Sequence, residues 1–408
     1  MAKSWNRTET WVALIVLGIG AVIAGVGGLF IYMSATAKPI HPDSQDVQSV
    51  AQSAQSSKWN AAVEESRHIV RAAVAEQNLP GLSVAVGVAG EVVWGEGFGF
   101  ADLEKKAPVD PQTRFRIGTI SIPLTSAAAG LLLERKQLTL DEPIQKYVPE
   151  LQPQQWPVTL RQVMGHFGSV KSDGGDEGPL FSRRCERPVE ALLLLPKDLL
   201  RSEPGTEYRY SRYGWILVSA AIEAAANEPF LTFMQKQIFA PLGMDDTLPD
   251  STIEAASSDR ATSYFPKFAA DPRYGPDLMR EVDFSCYAGS SVFVSTPSDL
   301  VRFVMAINGG KLLKPETVQL LQTSQRTKTG QETGYGLGWD LENVTLAGKE
   351  TTIVGHDGDS LGGIVSSLVT VPNEIVVAVT SNISYADTPA IALKIAQAFV
   401  EQGKSGTR

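Results

Sequence analysis

From Trp11 to Met33 the chain runs 23 residues without a charge. Apolar side chains would cover every face of a helix wound from this run, so it does not read as the amphipathic helix of a soluble domain. A bilayer core of roughly 30 Å takes about 20 helical residues. The run therefore reads as a transmembrane anchor over residues 11–33, behind a short cytoplasmic lead over 1–10. Lys3 and Arg7 precede it, which keeps the amino terminus inside and puts everything after Ser34 outside. A cleaved leader is the competing reading, because Ala35-Thr-Ala37 resembles a cleavage site. The apolar part of such a leader is usually only about 7–15 residues. Gly20, Ala24 and Gly28 share one face, either to pack a second helix or as a glycine-rich span with no partner.

Beyond the anchor the chain divides into a tether and a domain. Residues 34–57 are rich in Ser, Gln, Ala and Pro with no apolar period, the pattern of a flexible linker. Residues 58–402 have the patterning of one folded domain. The 408-residue chain is 43% hydrophobic and 20% charged, which excludes wholesale disorder. Its net charge of −9 argues against nucleic acid as a partner. The four histidines, His41, His68, His166 and His356, form no H-E-x-x-H pair, and no cofactor or metal is implied. Cys185 and Cys286 could pair in an oxidising compartment, but two cysteines cannot staple a small scaffold.

Periodicity sets the architecture. A helical stripe of Ala62, Val63, Ile69, Val70, Ala73 and Val74 runs from Trp59 to Glu76. Two alternating runs, from Leu82 to Val88 and from Glu91 to Gly97, meet at Ala89-Gly90 as a hairpin. An amphipathic helix comes next, through Ala127 and Leu133. The middle of the chain, to about Tyr274, is helix and loop. Thr296-Pro-Ser-Asp299 predicts a capped helix through Phe303 and Met305. Three short β-branched runs, near Thr351, Ile364 and Ile375, precede a last helix from about Ile391 to Glu401. Strands at both ends with helices between them predict an α+β fold. Its antiparallel sheet would join the first hairpin to the last three strands, with terminal helices on one face and an inserted helical lobe on the other.

The segment Phe115-Arg-Ile-Gly-Thr-Ile-Ser-Ile122 resembles the nucleophile-bearing motif of the serine β-lactamase and penicillin-recognising family, Phe-Arg-Ile-Gly-Ser-x-Ser-Lys. Further stretches agree in order: Leu79-Pro-Gly-Leu-Ser-Val-Ala-Val, Leu138-Thr-Leu-Asp-Glu-Pro-Ile, Val163-Met-Gly-His-Phe-Gly-Ser, Pro204-Gly-Thr-Glu-Tyr-Arg-Tyr-Ser-Arg-Tyr-Gly, Tyr335-Gly-Leu-Gly-Trp and Gly355-His-Asp-Gly. The resemblance spans about Trp59 to Glu401. It is to class C β-lactamases, DD-peptidases and esterases of that fold, and to the membrane-associated mitochondrial branch of the family.

The resemblance implies a site with its chemistry altered. Thr119 stands at the nucleophile position and Ile122 at that of the lysine base. Tyr210 keeps the tyrosine position, and Arg212 stands where the family usually has Asn. His356-Asp357-Gly358 matches the family's His-Thr-Gly strand, with Asp357 for Thr, and Asp359 comes next, near the expected oxyanion donor. Isoleucine can neither accept nor hold a proton, and the methyl of threonine crowds its hydroxyl. Two functions remain open. One is a weakly active hydrolase using Thr119 and Tyr210. The other is a silent relative holding a peptide, peptidoglycan-like, or small ester or amide ligand, or a protein partner, in the old cleft. Arg212 is expected either to pair with Asp357 or Asp359, filling the cleft, or to point to solvent. Lys328-Thr-Gly330 and Gly358-Asp-Ser-Leu-Gly362 match other catalytic patterns but fall at the wrong places in the order. The compartment would be a bacterial periplasm, with a mitochondrial intermembrane space as the alternative.

Overall fold

Ala89 and Gly90 close the first hairpin with both residues at positive φ, +50° and +87°. That is the two-residue turn whose twist matches antiparallel strands. It pairs Val88 with Glu91 and sets the register of strands β2 (Gly81–Val88) and β3 (Glu91–Asp102). The structure, a computed structural model, describes residues 7–52, 57–172, 179–250, 260–280, 282–360, 364–371 and 375–405.

Four more strands extend the sheet: β4 (Asp340–Leu346), β5 (Lys349–Ser360), β6 (Ile364–Val371) and β7 (Ile375–Ser381). With the edge strand β1 (Ser49–Ala51), the order along the sheet is β1-β3-β2-β7-β6-β5-β4, antiparallel throughout. The sequence pattern anticipates the hairpin and the last three strands. It misses β4, whose Glu342 and Asn343 face solvent on an edge and so break the apolar alternation.

Strand pleating separates two cores. On central β7, Val377 and Val379 face the terminal helices, while Val376 and Ala378 face the helical lobe. The terminal helices α1 (Asn60–Glu76) and α2 (Thr388–Ser405) bring Val63, Val70, Val74, Ile395 and Phe399 to the first core. Helix α3 (Pro297–Asn308) covers the other face, capped by Thr296, whose hydroxyl accepts the Asp299 N–H. A Cβ on Gly87 would meet Met305 Sδ and Val301 Cγ1 at 2.5 Å, so this close approach of helix to strand needs glycine.

The apolar run lies within one helix, Arg7–Thr36, and its candidate membrane-spanning part is Leu14–Thr36. No protein atom lies within 4 Å of a Cβ built on Gly20 or Gly28, so among the described residues the small-residue face is unpartnered. The linker differs from expectation. Residues 37–52 form a strap on the domain rather than a loose tether. The Ile40 N–H donates to Asn78 Oδ1 at 2.6 Å, His41 stacks on Phe100, and β1 pairs with β3. The sheet edge supplies backbone partners that composition alone does not reveal.

A small second sheet supports the catalytic-motif segment. Phe115–Arg116 pairs with Phe293–Ser295, which also pairs with Leu248–Pro249. Asp250 sits there between two guanidinium groups, 2.8 Å from Arg116 Nε and 2.7 Å from Arg260 Nη1, with all three side chains buried. Removing the carboxylate takes a buried anion away from both guanidinium groups. Asp250→Ala is expected to lower unfolding free energy by about 3–5 kcal/mol in urea denaturation. A loss under about 1 kcal/mol, the range of an exposed pair, would contradict this.

Candidate active site

Thr119 sits in a tight turn, Gly118–Ile120, that leads into the helix Ser121–Glu134. Gly118 enters that turn at φ +51°. The turn lies directly against β5: a Cβ on Gly358 would be 2.3 Å from the Ile117 carbonyl oxygen. Gly358 is therefore a close-approach residue. Beyond Gly355, β5 has no partner in β4, and this edge faces the Thr119 turn.

The Thr119 hydroxyl donates to the Asp357 carbonyl at 3.0 Å. Its single proton is thereby committed to an acceptor that cannot carry it away. The Tyr210 phenol is a second neighbour of Thr119, but the threonine proton points to the carbonyl. This polarity is the reverse of nucleophile activation, in which a base takes the hydroxyl proton. Burial raises the Tyr210 pKa above its ordinary value; the Thr119 bond and the Arg212 charge oppose that shift without overcoming it. Tyr210 therefore stays a phenol. Ile122 is fully buried in the core of the helical lobe.

His356 is held at both ring nitrogens. Nδ1 lies 2.7 Å from the Asp357 carbonyl, which only accepts, so that nitrogen carries the proton. Nε2 then accepts from the Tyr335 hydroxyl at 3.0 Å. Tyr335 is wholly buried, and burial raises its pKa well above the ordinary phenol value. The ring cluster continues through Tyr210, 4.3 Å between centroids from His166, and Tyr208, 5.8 Å from Tyr335. The order of motifs locates Tyr210 and His356 together, but it gives no role to His166 or Tyr335. Their packing with the site residues is a tertiary fact, with no local signal in the sequence.

Of the two partners expected for Arg212, Asp357 is not paired with it, and the Asp359 side chain lies outside what the structure describes. Arg212 starts the helix Arg212–Ala226, and its guanidinium carbon lies 5.4 Å from the Tyr287 ring centroid. The side chain is buried. It does not point freely to solvent either. The Asp357 carboxylate accepts from the Ser367 hydroxyl at 2.7 Å, and Ser367 in turn meets Thr388 at the start of α2. Successive strand residues face opposite ways, so Asp357 leaves the sheet on the side away from His356. Desolvation pushes its carboxyl above the ordinary range, with the Ser367 bond opposing. The Asp359 side chain and residues 361–363 lie outside what the structure describes. Gly358, Asp359 and Ser360 belong to β5, so the Gly358-Asp-Ser-Leu-Gly362 pattern is not a strand-to-helix elbow. Lys328 is an exposed residue ion-paired with Glu203, away from any strand motif.

His166 supplies a pH signature. The Ser211 N–H and the Trp215 indole N–H both point at its ring, at 3.1 and 3.3 Å. A neutral ring can accept only one of these bonds, because its other nitrogen carries a proton, whereas a doubly protonated ring would face a donor at both. Burial first, then the His356 charge, lowers its pKa well below 6.5. The unfolded chain binds a proton below about 6.5 that the native state refuses, so this group makes stability fall as pH drops through that value. One such proton is worth up to about 1.4 kcal/mol per pH unit. His166→Gln is expected to flatten the difference in unfolding free energy between about pH 7 and pH 5 by an amount of that order. An unchanged difference in urea titrations would contradict a neutral His166.

Comparison with known proteins covers most of the chain beyond the apolar helix. The Beta-lactamase family model matches residues 67–402. The human mitochondrial serine beta-lactamase-like protein LACTB is 26% identical over 83% of this chain and 80% of its own. Penicillin-binding protein 4* of Bacillus subtilis is 25% identical over 66% of this chain and 60% of its own. Among solved structures, the octameric penicillin-binding protein homologue of Pyrococcus abyssi superposes with TM-score 0.70 and 24% identity, over 83% of this chain and 77% of that one. The D-amino acid amidase of Ochrobactrum anthropi, complexed with L-phenylalanine amide, gives TM-score 0.68 and 22% identity over 85% and 99%. With the fold and the family match in agreement, the chain belongs to the beta-lactamase family of serine-hydrolase-like proteins.

Proposed function

We propose that this protein is a membrane-anchored β-lactamase-like domain that has lost serine–lysine acyl transfer and keeps the cleft as a binding site. The observation that carries the proposal is the wiring of Thr119. Its hydroxyl gives its proton to a backbone carbonyl, and a buried isoleucine stands where the base would be. General-base assistance is typically worth about 10²–10⁴ in rate. The ligand class is drawn from the relatives: penicillin-binding proteins and a D-amino acid amidase point to a peptide-like amide or ester, peptidoglycan-like fragments included.

Placement outside the cytoplasm has its own support. Cys185 and Cys286 form a disulfide, a bond that persists in oxidising compartments. With Lys3 and Arg7 before the apolar helix, the domain lies on the outer side, in the periplasm of a bacterium. Protease added to spheroplasts is expected to digest the domain. Protection in intact spheroplasts, lost on lysis, would contradict this orientation.

The chemical reading has a gain-of-function test. Native protein is expected to remain unlabelled by a fluorescent penicillin and by a fluorophosphonate. Thr119→Ser together with Ile122→Lys restores nucleophile and base. Burial at position 122 lowers the lysine pKa and favours the neutral amine that a base requires. The double variant is expected to label, and each single variant to stay near background, because the two groups act as a unit. Strong labelling of the native chain, abolished by Thr119→Ala, would establish residual hydrolase chemistry instead.

A further inference from the structure

We propose that the hairpin of residues 264–278 is a membrane-interface element, through which the domain rests on the lipid surface beside its own anchor. The proposal builds on the membrane reading of the amino-terminal helix. Its ground is a contact inside that helix: Phe30 packs edge-on against Phe268 with ring centroids 4.8 Å apart, and lies 6.4 Å from Tyr274. Phe268 and Tyr274 also pack on each other at 5.3 Å. Phe30 is six residues before the end of the helix at Thr36, so the contact lies about 9 Å back along its axis. The last residue of the uncharged run, Met33, is only three residues on. The aromatic pair therefore meets the helix at the depth where hydrocarbon gives way to headgroups.

The strap leaves the domain little freedom to move away. Four residues after Thr36, the Ile40 N–H is already bonded to Asn78. The hairpin itself is fixed to the domain: its strands Tyr264–Pro266 and Pro276–Leu278 pair, and the Tyr264 N–H donates to the Asn382 carbonyl at 2.8 Å.

Its surface has the composition of an interfacial belt. Leu278 is 71% exposed and Tyr385, packed on Phe265, is 52% exposed. Around them Arg273 pairs with Asp271, and Lys267 lies 3.9 Å from Asp277. Apolar and aromatic groups with a polar tip sit well at the headgroup boundary. The balanced ion pairs carry no strong net charge, so the partner is the interfacial zone of a bilayer, zwitterionic lipid included, rather than an anionic headgroup as such.

The test uses the full chain in phosphatidylcholine proteoliposomes. Three single-cysteine variants, Leu278→Cys, Val22→Cys and Leu193→Cys, are labelled with a nitroxide; the native cysteines are bridged. Leu193 is as exposed as Leu278 but belongs to the helical lobe. Collision rates with oxygen and with a neutral nickel chelate report depth. The Leu278 label is expected to show an oxygen-to-nickel ratio several-fold above that of Leu193 and below that of Val22. A Leu278 ratio equal to that of Leu193, with Val22 deep in the bilayer, would overturn the hairpin proposal and leave the anchor standing. A Val22 ratio at the aqueous value would overturn the anchor, and the hairpin proposal with it.

Discussion

The site depends on how closely one turn lies on one strand. The Ile117 carbonyl would be 2.3 Å from any Cβ at position 358, so only glycine lets the Gly118–Ile120 turn settle against β5. That contact brings the Thr119 hydroxyl to the Asp357 carbonyl. The same carbonyl fixes the tautomer of His356, which in turn takes the Tyr335 hydroxyl. Behind the turn, Arg116 is locked to Asp250, which also holds Arg260, in the small second sheet. The scaffold of an acyl-transfer site is thus held in place by close packing and a buried charge cluster, independently of whether the chemistry remains.

The described partner of the Thr119 hydroxyl is a backbone carbonyl, which cannot carry its proton away. The groups described around Thr119 are not set for attack: the carbonyl accepts from the hydroxyl, burial favours the neutral phenol of Tyr210, and His356 is turned to Tyr335. Ile122 fills the space of the base with hydrocarbon. In the proposed function, this arrangement leaves the Thr119 hydroxyl without activation. Around it, Arg212 lies over Tyr287, next in sequence to the bridged Cys286, so the disulfide pins the aromatic platform under that side of the site. The strap and the Phe30 contact tie the same domain to the apolar helix.

Much of the fold is legible in the sequence because it is written in local patterns. The Ala89-Gly90 turn, the capped helix after Thr296, the central strands and the motif order depend on neighbours along the chain. The sequence hides where a side chain goes once strands pleat and segments converge. Asp357 looks like a partner for Arg212 when the altered motif positions are set side by side, yet pleating sends Asp357 to Ser367, and Arg212 also lies against the Tyr287 ring. His166 and Tyr335 lie far apart in sequence, and only the fold packs them at 4.7 Å. Residues 37–52 read as a tether because their composition is polar; their order comes from the edge of β3, which no local window contains.

The central claim, that the Thr119 hydroxyl is not an activated nucleophile, is tested most directly by intact-protein mass spectrometry after exposure to a simple activated ester. The wiring of the site predicts no acylated species attributable to residue 119, and the same spectrum for the native chain and for Thr119→Ala. An acyl adduct that forms on the native chain, maps to Thr119 and disappears in Thr119→Ala would contradict it.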